Sequence, residues 1–291
     1  MNIKTWLLTA LRPQTFLCVL ALAVSPVHAQ IGSWNQDETS GNLIDSTGGH
    51  SAGVPTGSLV YGQPGVSNGT YGSLVVSDAL GTSIGYGPSN SDEFFTIGTD
   101  NNNPALNLNQ TDAFTVMGWV NPAAPTLAGS TYRFFSTGSG AGGDRGWGIG
   151  LRLNGATGAG SAIRLTTYGI ADNDSSPFDV GFGQWLHIAA TYNNGAINYF
   201  LNGNALDSDT SLFGNELAAG RLVIGGRVGA NDTDQASGLL DGIRIYDRVL
   251  SVPEIQQAAV ASISIPEPSS FVLAALAGIA LAWWRRRTSN A

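Results

Sequence analysis

Residues 30–248 read as an all-β chain, a two-sheet antiparallel sandwich of the jelly-roll type, with a short hydrophobic helix at the far C-terminus. Three observations point there. Helical periodicity is almost absent over this stretch, whereas short runs of alternating polarity bounded by Gly, Asn, Asp and Ser recur throughout. Two Asn-Gly pairs, Asn194-Gly195 and Asn202-Gly203, mark tight hairpins because both positions tolerate positive φ. Glycine supplies 39 of 291 residues and charged residues only 12%, so stability must come from a packed core and tight turns. Surface ion pairs contribute little in any case.

The chain opens with "MNIKTWLLTALRPQTFLCVLALAVSPVHAQ". Lys4 and Arg12 accompany an apolar run from Phe16 to Val24, and Val27-His28-Ala29 forms a small-residue cleavage site. This is the layout of a secretory signal peptide, so residues 1–29 are expected to be removed. The apolar run is too short to span a membrane. Cys18, the only cysteine, falls in this segment, which leaves the mature chain without disulfide or thiol chemistry. The 236 residues from Gln30 to Ile265 are enough for one large core, and a single domain over 30–262 is expected. Across them 20 Asp and Glu stand against 8 Arg and no Lys, a formal charge of about −12. A nucleic-acid partner is excluded, because phosphates need a positive face.

Residues 40–109 are dense in Gly, Ser, Asn and Pro, with short strands expected at 73–76 and 93–97. Clearer strands follow at 114–122, 132–138, 146–154, 162–169, 220–226 and 238–248. In "GQWLHIAATYNNGAINYFLNGN", Trp185, His187, Ala189 and Thr191 share one strand face, and Leu186, Ile188, Ala190 and Tyr192 the other. Apolar residues on both faces predict a strand covered on each side. "LSVPEIQQAAVA" then predicts the domain's closing helix. Ser251 stands at the N-cap, Pro253 in the first turn and Glu254 at the capping-box position before Ile255, Ala258 and Ala259. "SISIPEP" continues as an extended linker.

Several of these stretches, "SWNQDE", "DSTG", "FTVMGWVNP", "GQWLHIAATYNNGAINYFLNGN", "LVIGG" and "GLLDGIRIYDRVLSVPEI", resemble the signature segments of the laminin-G-like branch of the concanavalin A-like lectin/glucanase superfamily over residues 31–257. The resemblance implies a jelly roll whose first strand, around Trp34, pairs with its last, around Ile243 to Tyr246.

The tail resembles a PEP-CTERM sorting signal over 263–291. Pro266-Glu267-Pro268 precedes a short apolar helix, Phe271 to Trp284, and then Arg285, Arg286 and Arg287. Such signals imply a Gram-negative bacterium, an exosortase partner and processing near Pro-Glu-Pro. Fourteen helical residues span about 21 Å, short of the ~30 Å hydrocarbon core, so the helix suits transient membrane association better than a permanent anchor. The arginines place its end in the cytoplasm and the domain outside.

Enzymatic chemistry finds little support in the sequence. The laminarinase-type relatives carry their carboxylates as Glu-x-Asp-x-Glu on one strand, and Glu38, Glu93, Glu216 and Glu254 form no such cluster. Of the histidines left in the mature chain, His187 reads as a packed strand residue and His50 as an exposed loop residue. The resemblance implies a calcium site, and Asp45 of "DSTG" and Asp241 of "LLDGI" match the family's acidic positions. Where the family more often has Asp-Glu, this chain has Asp241-Gly242, one ligand fewer. "DNDSS" (172–176) and "NDTD" (231–234) offer other oxygen clusters, or solvated turns held by Asx hydrogen bonds. Trp34, Trp119, Trp147 and Trp185 fall in strand-like runs and read as core, whereas Tyr168 and Phe178 flank a polar loop and are the candidate ligand contacts. The expected protein is a non-enzymatic surface or matrix module that binds extracellular polysaccharide or another surface glycan. A protein-adhesion domain and a polysaccharide hydrolase or lyase remain alternatives.

Overall fold

The computed structural model describes residues 30–50, 52–77, 80–87, 93–97, 113–124, 131–138, 146–155, 157–210, 221–227 and 235–261. The expected signal peptide, Glu216, the 231–234 cluster, Pro266-Glu267-Pro268, the apolar helix 271–284 and Arg285 to Arg287 lie outside the described residues. No helix among the described residues is long and apolar enough to cross a membrane.

In chain order the strands are β1 (Gln30–Trp34), β2 (Val54–Thr56), β3 (Val60–Val66), β4 (Gly69–Tyr71), β5 (Leu74–Val76), β6 (Leu80–Tyr86), β7 (Phe94–Ile97), β8 (Ala113–Pro122) and β9 (Thr131–Gly138). They continue as β10 (Trp147–Arg152), β11 (Ala162–Thr167), β12 (Ala171–Asp174), β13 (Leu186–Asn193), β14 (Ala196–Leu201), β15 (Asn204–Thr210), β16 (Arg221–Ile224) and β17 (Gly238–Tyr246), before helix α1 (Val252–Val260). One eight-stranded sheet runs β15-β14-β13-β8-β17-β6-β3 with β1 on β17, a seven-stranded sheet runs β12-β11-β10-β9-β16-β7-β2, and β4-β5 forms a small hairpin. Two antiparallel sheets packed face to face make the expected jelly-roll sandwich. Trp34 pairs with Ile243, so the first and last strands are neighbours as the sequence implied. Asn194 and Gly195 adopt φ of 45° and 94°, and Asn202 and Gly203 of 50° and 76°, which turns β13 into β14 and β14 into β15.

Alternation decides which side chains meet between the sheets. Ile188, Ala190 and Tyr192 of β13 face Trp147, Ile149 and Leu151 of β10 within one continuous core. The outer face of the eight-stranded sheet is covered too. Met117, Ala189, Phe200 and Tyr246 pack under Ile255 and Ala258 of α1, and Trp119 joins Leu74, Val76 and Ala259. Trp119 Nε1 donates to the Ala259 carbonyl at 2.8 Å, tying helix to sheet. Ser251 N–H and its hydroxyl both donate to Glu254 at 2.8 and 2.7 Å, which fixes the start of α1 where the sequence placed it.

The outer face of the seven-stranded sheet is different. On β10, Gly148, Gly150 and Arg152 alternate with the buried Trp147, Ile149 and Leu151; on β11, Arg164 and Thr166 alternate with the buried Ile163 and Leu165. A bulge in β9 pairs Ile149 with Phe135 but Gly150 with Arg133, so Tyr132, Phe134 and Phe135 all enter the core while Arg133 turns outward. Residues 171–174, expected as part of a loop, instead form the edge strand β12 against β11.

Candidate functional site

That outer face carries a recess of about 360 Å³. Its wall comes from Thr131 and Arg133 of β9, Arg164 and Thr166 of β11, Tyr168 just beyond β11, Asp172 of β12, and Arg227 after β16. The size falls in the ordinary range of small-molecule sites, roughly 300–1,000 Å³.

Gly148 gives two of the wall's side chains their room. A Cβ on Gly148 would stand 2.7 Å from the Tyr168 hydroxyl and 2.8 Å from Arg133 Nη1, so only glycine lets these two side chains lie across β10. Arg133, 1% exposed, donates from Nη2 to Thr166 Oγ1 at 3.2 Å. Its guanidinium carbon is 5.3 Å from the Tyr168 ring centroid and that of Arg227 is 4.6 Å away, so both guanidiniums lie within cation–π reach of one aromatic ring.

Along the edge, Arg164 donates from Nε and Nη2 to the two oxygens of Asp174 at 2.7 and 2.9 Å, and Nη1 pairs with Asp172 at 2.9 Å. Arg152 Nε reaches Asp174 at 2.7 Å. Partial burial raises the Asp174 carboxyl, but the two arginines outweigh it and hold the group below its usual range. Asp172 also accepts from Thr166 Oγ1 at 2.7 Å. These charge-assisted bonds fasten an edge strand of poor β-formers, and they take up the carboxylates that sequence reading offered as oxygen donors.

Of the two candidate ligand contacts, the structure brings Tyr168 to the recess and leaves Phe178 out. Tyr168 is 4% exposed rather than a loop-tip platform, because the Arg133 and Arg227 guanidiniums pack over its ring. Phe178 is half-buried against the core, with its N–H on the Ser161 carbonyl at 2.8 Å.

Asp45 and Asp241 occupy separate environments. Asp45 Oδ1 accepts from the N–H groups of Ser33 and Thr47, both at 2.9 Å, and Oδ2 from Thr47 Oγ1 and His50 Nδ1, both at 2.7 Å. Burial opposes its charge, yet the bonds from His50, Thr47 and Ser33 hold its pKa down to about 2. His50, expected to be exposed, is buried with it. Asp241 is 2% exposed and accepts the Val66 N–H at 3.4 Å. Burial pushes its carboxyl well above the usual range. A calcium ion needs several ionised or carbonyl oxygens with lone pairs to give. Asp45 already takes four hydrogen bonds and the buried Asp241 has a different set of neighbours, so the two do not form one donor set that fits the ion. Among the described residues no group of three or more His, Cys, Asp and Glu is arranged to hold a metal.

His187 lies fully buried with its ring 5.2 Å from that of Trp119, and burial, aided by Arg244, lowers its pKa to about 3. Among the glutamates, Glu38 accepts the Ile44 N–H at 2.8 Å and Glu254 serves the α1 cap. The recess-lining residues that sequence reading missed are the arginines. A signal existed, since Arg133 and Arg164 sit alone at outward positions of otherwise apolar or small-residue strands, "YRFF" and "AIRL".

Comparison with known proteins adds the family context. A family model described as the concanavalin A-like lectin/glucanases superfamily matches residues 96–256, and a PEP-CTERM protein-sorting motif matches 264–287. Domain 4 of AbnA, a GH43 extracellular arabinanase from Geobacillus stearothermophilus, in complex with arabinotriose, superposes with a TM-score of 0.52 at 20% identity. The match covers 80% of this chain and 98% of that domain. A Trypanosoma rangeli sialidase matches with a TM-score of 0.51 at 12% identity over 78% of this chain but 32% of its own length. At these identities the likeness concerns the fold.

Proposed function

The chain belongs to the concanavalin A-like lectin/glucanases superfamily and ends in a PEP-CTERM protein-sorting motif, and from that premise we propose an exported surface or matrix module that binds a saccharide without cleaving it. The observation that carries the reading is the recess beside Tyr168 on the outer face of the seven-stranded sheet. It is polar, shaped by one tyrosine and several hydroxyl and guanidinium donors, and built on rigid strands. Sugars offer many hydroxyls, and a wall of Thr, Arg and Asp side chains supplies both donors and acceptors for them. The same fold in domain 4 of AbnA is in complex with arabinotriose, in keeping with a saccharide ligand. The described wall carries a single carboxylate, Asp172, held by Arg164 and Thr166. Hydrolysis with retention uses two carboxylates about 5 Å apart, so a binding role suits this wall better. Export through an exosortase that processes the tail near Pro266-Glu267-Pro268 completes the reading, with exopolysaccharide or the cell surface as the destination.

The test uses the full chain in mild detergent on a panel of immobilised polysaccharides, beside a Gly148→Val variant. Retention of the wild type on at least one polysaccharide, lost in the variant while its far-UV circular dichroism is unchanged, is the expected result. Equal retention of both proteins, no retention on any polysaccharide, or release of reducing ends would overturn the proposal.

A further inference from the structure

The turn that joins β11 to β12 forms part of the recess wall, and its backbone is held in one shape. Gly169 takes the left-handed conformation at φ 74°, and Ile170 N–H donates to the Thr167 carbonyl at 3.0 Å. Thr167 Oγ1 donates to the Ala171 carbonyl at 3.2 Å, and Tyr168 N–H to the Gly146 carbonyl at 3.0 Å. The turn presents Ile170, 51% exposed, to the recess. A single exposed isoleucine is ordinary on a protein surface, so its position is what counts. Of the large apolar side chains exposed among the described residues, Ile170 is the one that lines this recess. Turns favour Gly, Pro, Asn, Asp and Ser, and the turn geometry itself makes no demand for isoleucine here.

The charged groups of the wall are engaged with their neighbours. Arg164 pairs with Asp172 and with both oxygens of Asp174. Thr166 Oγ1 donates to Asp172 and accepts from Arg133, and the Arg133 and Arg227 guanidiniums pack over Tyr168. A charged ligand would have to compete with these contacts. A sugar hydroxyl can join them, because a carboxylate oxygen has lone pairs for more than one donor. The domain's formal charge of about −12 also repels polyanions at a distance. Sugar rings are amphiphilic, with hydroxyls around the edge and C–H groups on the faces. Laying such a face on Ile170 removes apolar surface from water on both partners, which is favourable in proportion to the area covered.

We infer that the recess takes an uncharged saccharide, with the C–H face of one sugar ring on Ile170 and its hydroxyls towards Thr166 and Asp172. This rests on the saccharide-binding reading above and narrows it to a ligand class and a contact residue. Ile170 supplies the apolar part of the contact, and the turn hydrogen bonds hold its backbone in place before the ligand arrives.

The experiment measures binding of the full chain in mild detergent to immobilised neutral galactan, arabinan and mannan and to polygalacturonate, at low and at moderate salt. At least one neutral polymer is expected to bind more tightly than polygalacturonate, with an affinity that salt changes by less than about twofold. Ile170→Ser should weaken that binding roughly tenfold, the scale of half-burying one aliphatic side chain, while Ile170→Leu keeps it. Val75→Ser, an exposed change on β5 away from the recess, should leave it unaltered. Thermal midpoints check that each variant is folded. Should Ile170→Ser melt lower than the wild type, Ile170→Thr, which keeps the β-branched shape, takes its place. Tighter binding to polygalacturonate than to every neutral polymer, or an affinity for the neutral polymer that falls about tenfold as salt rises, overturns the uncharged class. Unchanged affinity in the folded serine or threonine variant overturns the contact with Ile170. Both of those results leave saccharide binding intact. Retention on none of the four, nor on any other polysaccharide, overturns the saccharide reading as well.

Discussion

His50 Nδ1 lies 2.7 Å from Asp45 Oδ2, and the imidazole ring sits 5.3 Å from that of Trp34. A glycine-rich loop is thereby fastened to β1, because the same carboxylate accepts the Ser33 N–H and Ser46 N–H donates to the Ser33 carbonyl. Trp34 and Ser33 pair with Ile243 and Arg244 of β17, so the Asp45 knot secures the closure of first strand on last. Its role is structural.

Replacing Asp45→Asn should cost about 2 kcal/mol of unfolding free energy, since Asn keeps the size but accepts fewer bonds and loses the charge that His50 and the N–H groups favour. The Asp45 pKa is held near 2 in the folded state, below its ordinary value of 3.8. Its contribution is therefore complete above about pH 4 and is lost as pH falls through 2. Urea midpoints from pH 7 to 2 should converge between wild type and variant at the acid end. A constant gap across that range would contradict the assignment.

His187 provides the opposite kind of group. It is neutral in the fold, with a pKa lowered from 6.5 to about 3 by burial against Trp119 beneath α1. As pH drops below 6.5 the unfolded chain takes up a proton that the native state refuses, so stability declines from there towards pH 3. At pH 5 the loss is about 2 kcal/mol. His187→Leu, similar in bulk, should flatten this limb whatever its effect at pH 7. Parallel stability profiles of the two proteins between pH 7 and 5 would refute the claim.

Asp241 is predicted to be a liability at neutral pH. Burial raises its carboxyl well above 3.8, so stability is favoured in acid and declines as pH rises through the folded value. Asp241→Asn preserves an acceptor for the Val66 N–H and removes the ionisation. The variant should melt higher than wild type at pH 8 and show a smaller advantage at pH 5, as read by thermal unfolding. Millimolar calcium should leave the wild-type midpoint unchanged. A calcium-dependent rise that vanishes in the variant would restore the metal site that the hydrogen bonding argues against.

These residues show where the sequence was legible. Asn194-Gly195 and Asn202-Gly203 announced their hairpins because positive φ is a local demand. Ser251 and Glu254 announced α1 for the same reason, and alternation in 114–122 and 186–193 placed the core strands. The site was not legible in that way. Asp172-Asn173-Asp174 has no strand propensity of its own and becomes β12 only through Arg164, Arg152 and the β11 backbone. Tyr168 looked exposed because its burial depends on Arg133 and Arg227, the latter 59 residues further along the chain. His50 looked exposed because nothing beside it in sequence reveals Trp34 above it. Local conformational rules travel along the chain, whereas charge pairing across strands needs the register first.

Helix α1 offers the last test, and it bears on how the domain meets its sorting tail. Ile255 is fully buried among Met117, Ala189 and Phe200, and Trp119 Nε1 bonds the Ala259 carbonyl near the helix end. Ile255→Ala removes buried methyl groups and should cost 2–4 kcal/mol in urea unfolding. Trp119→Phe keeps an aromatic body but leaves the Ala259 carbonyl without that donor, and about 1 kcal/mol is expected. Arg244 Nη2 also donates to the Ala261 carbonyl, the last described residue before the tail. If α1 is an integral layer of the sandwich, both substitutions lower one cooperative transition. Were α1 only a loosely docked linker, Ile255→Ala would leave the main transition in place and increase only proteolysis near residues 252–261. The buried Ala258 and Ala259, which keep the helix close to the sheet, argue for the first outcome.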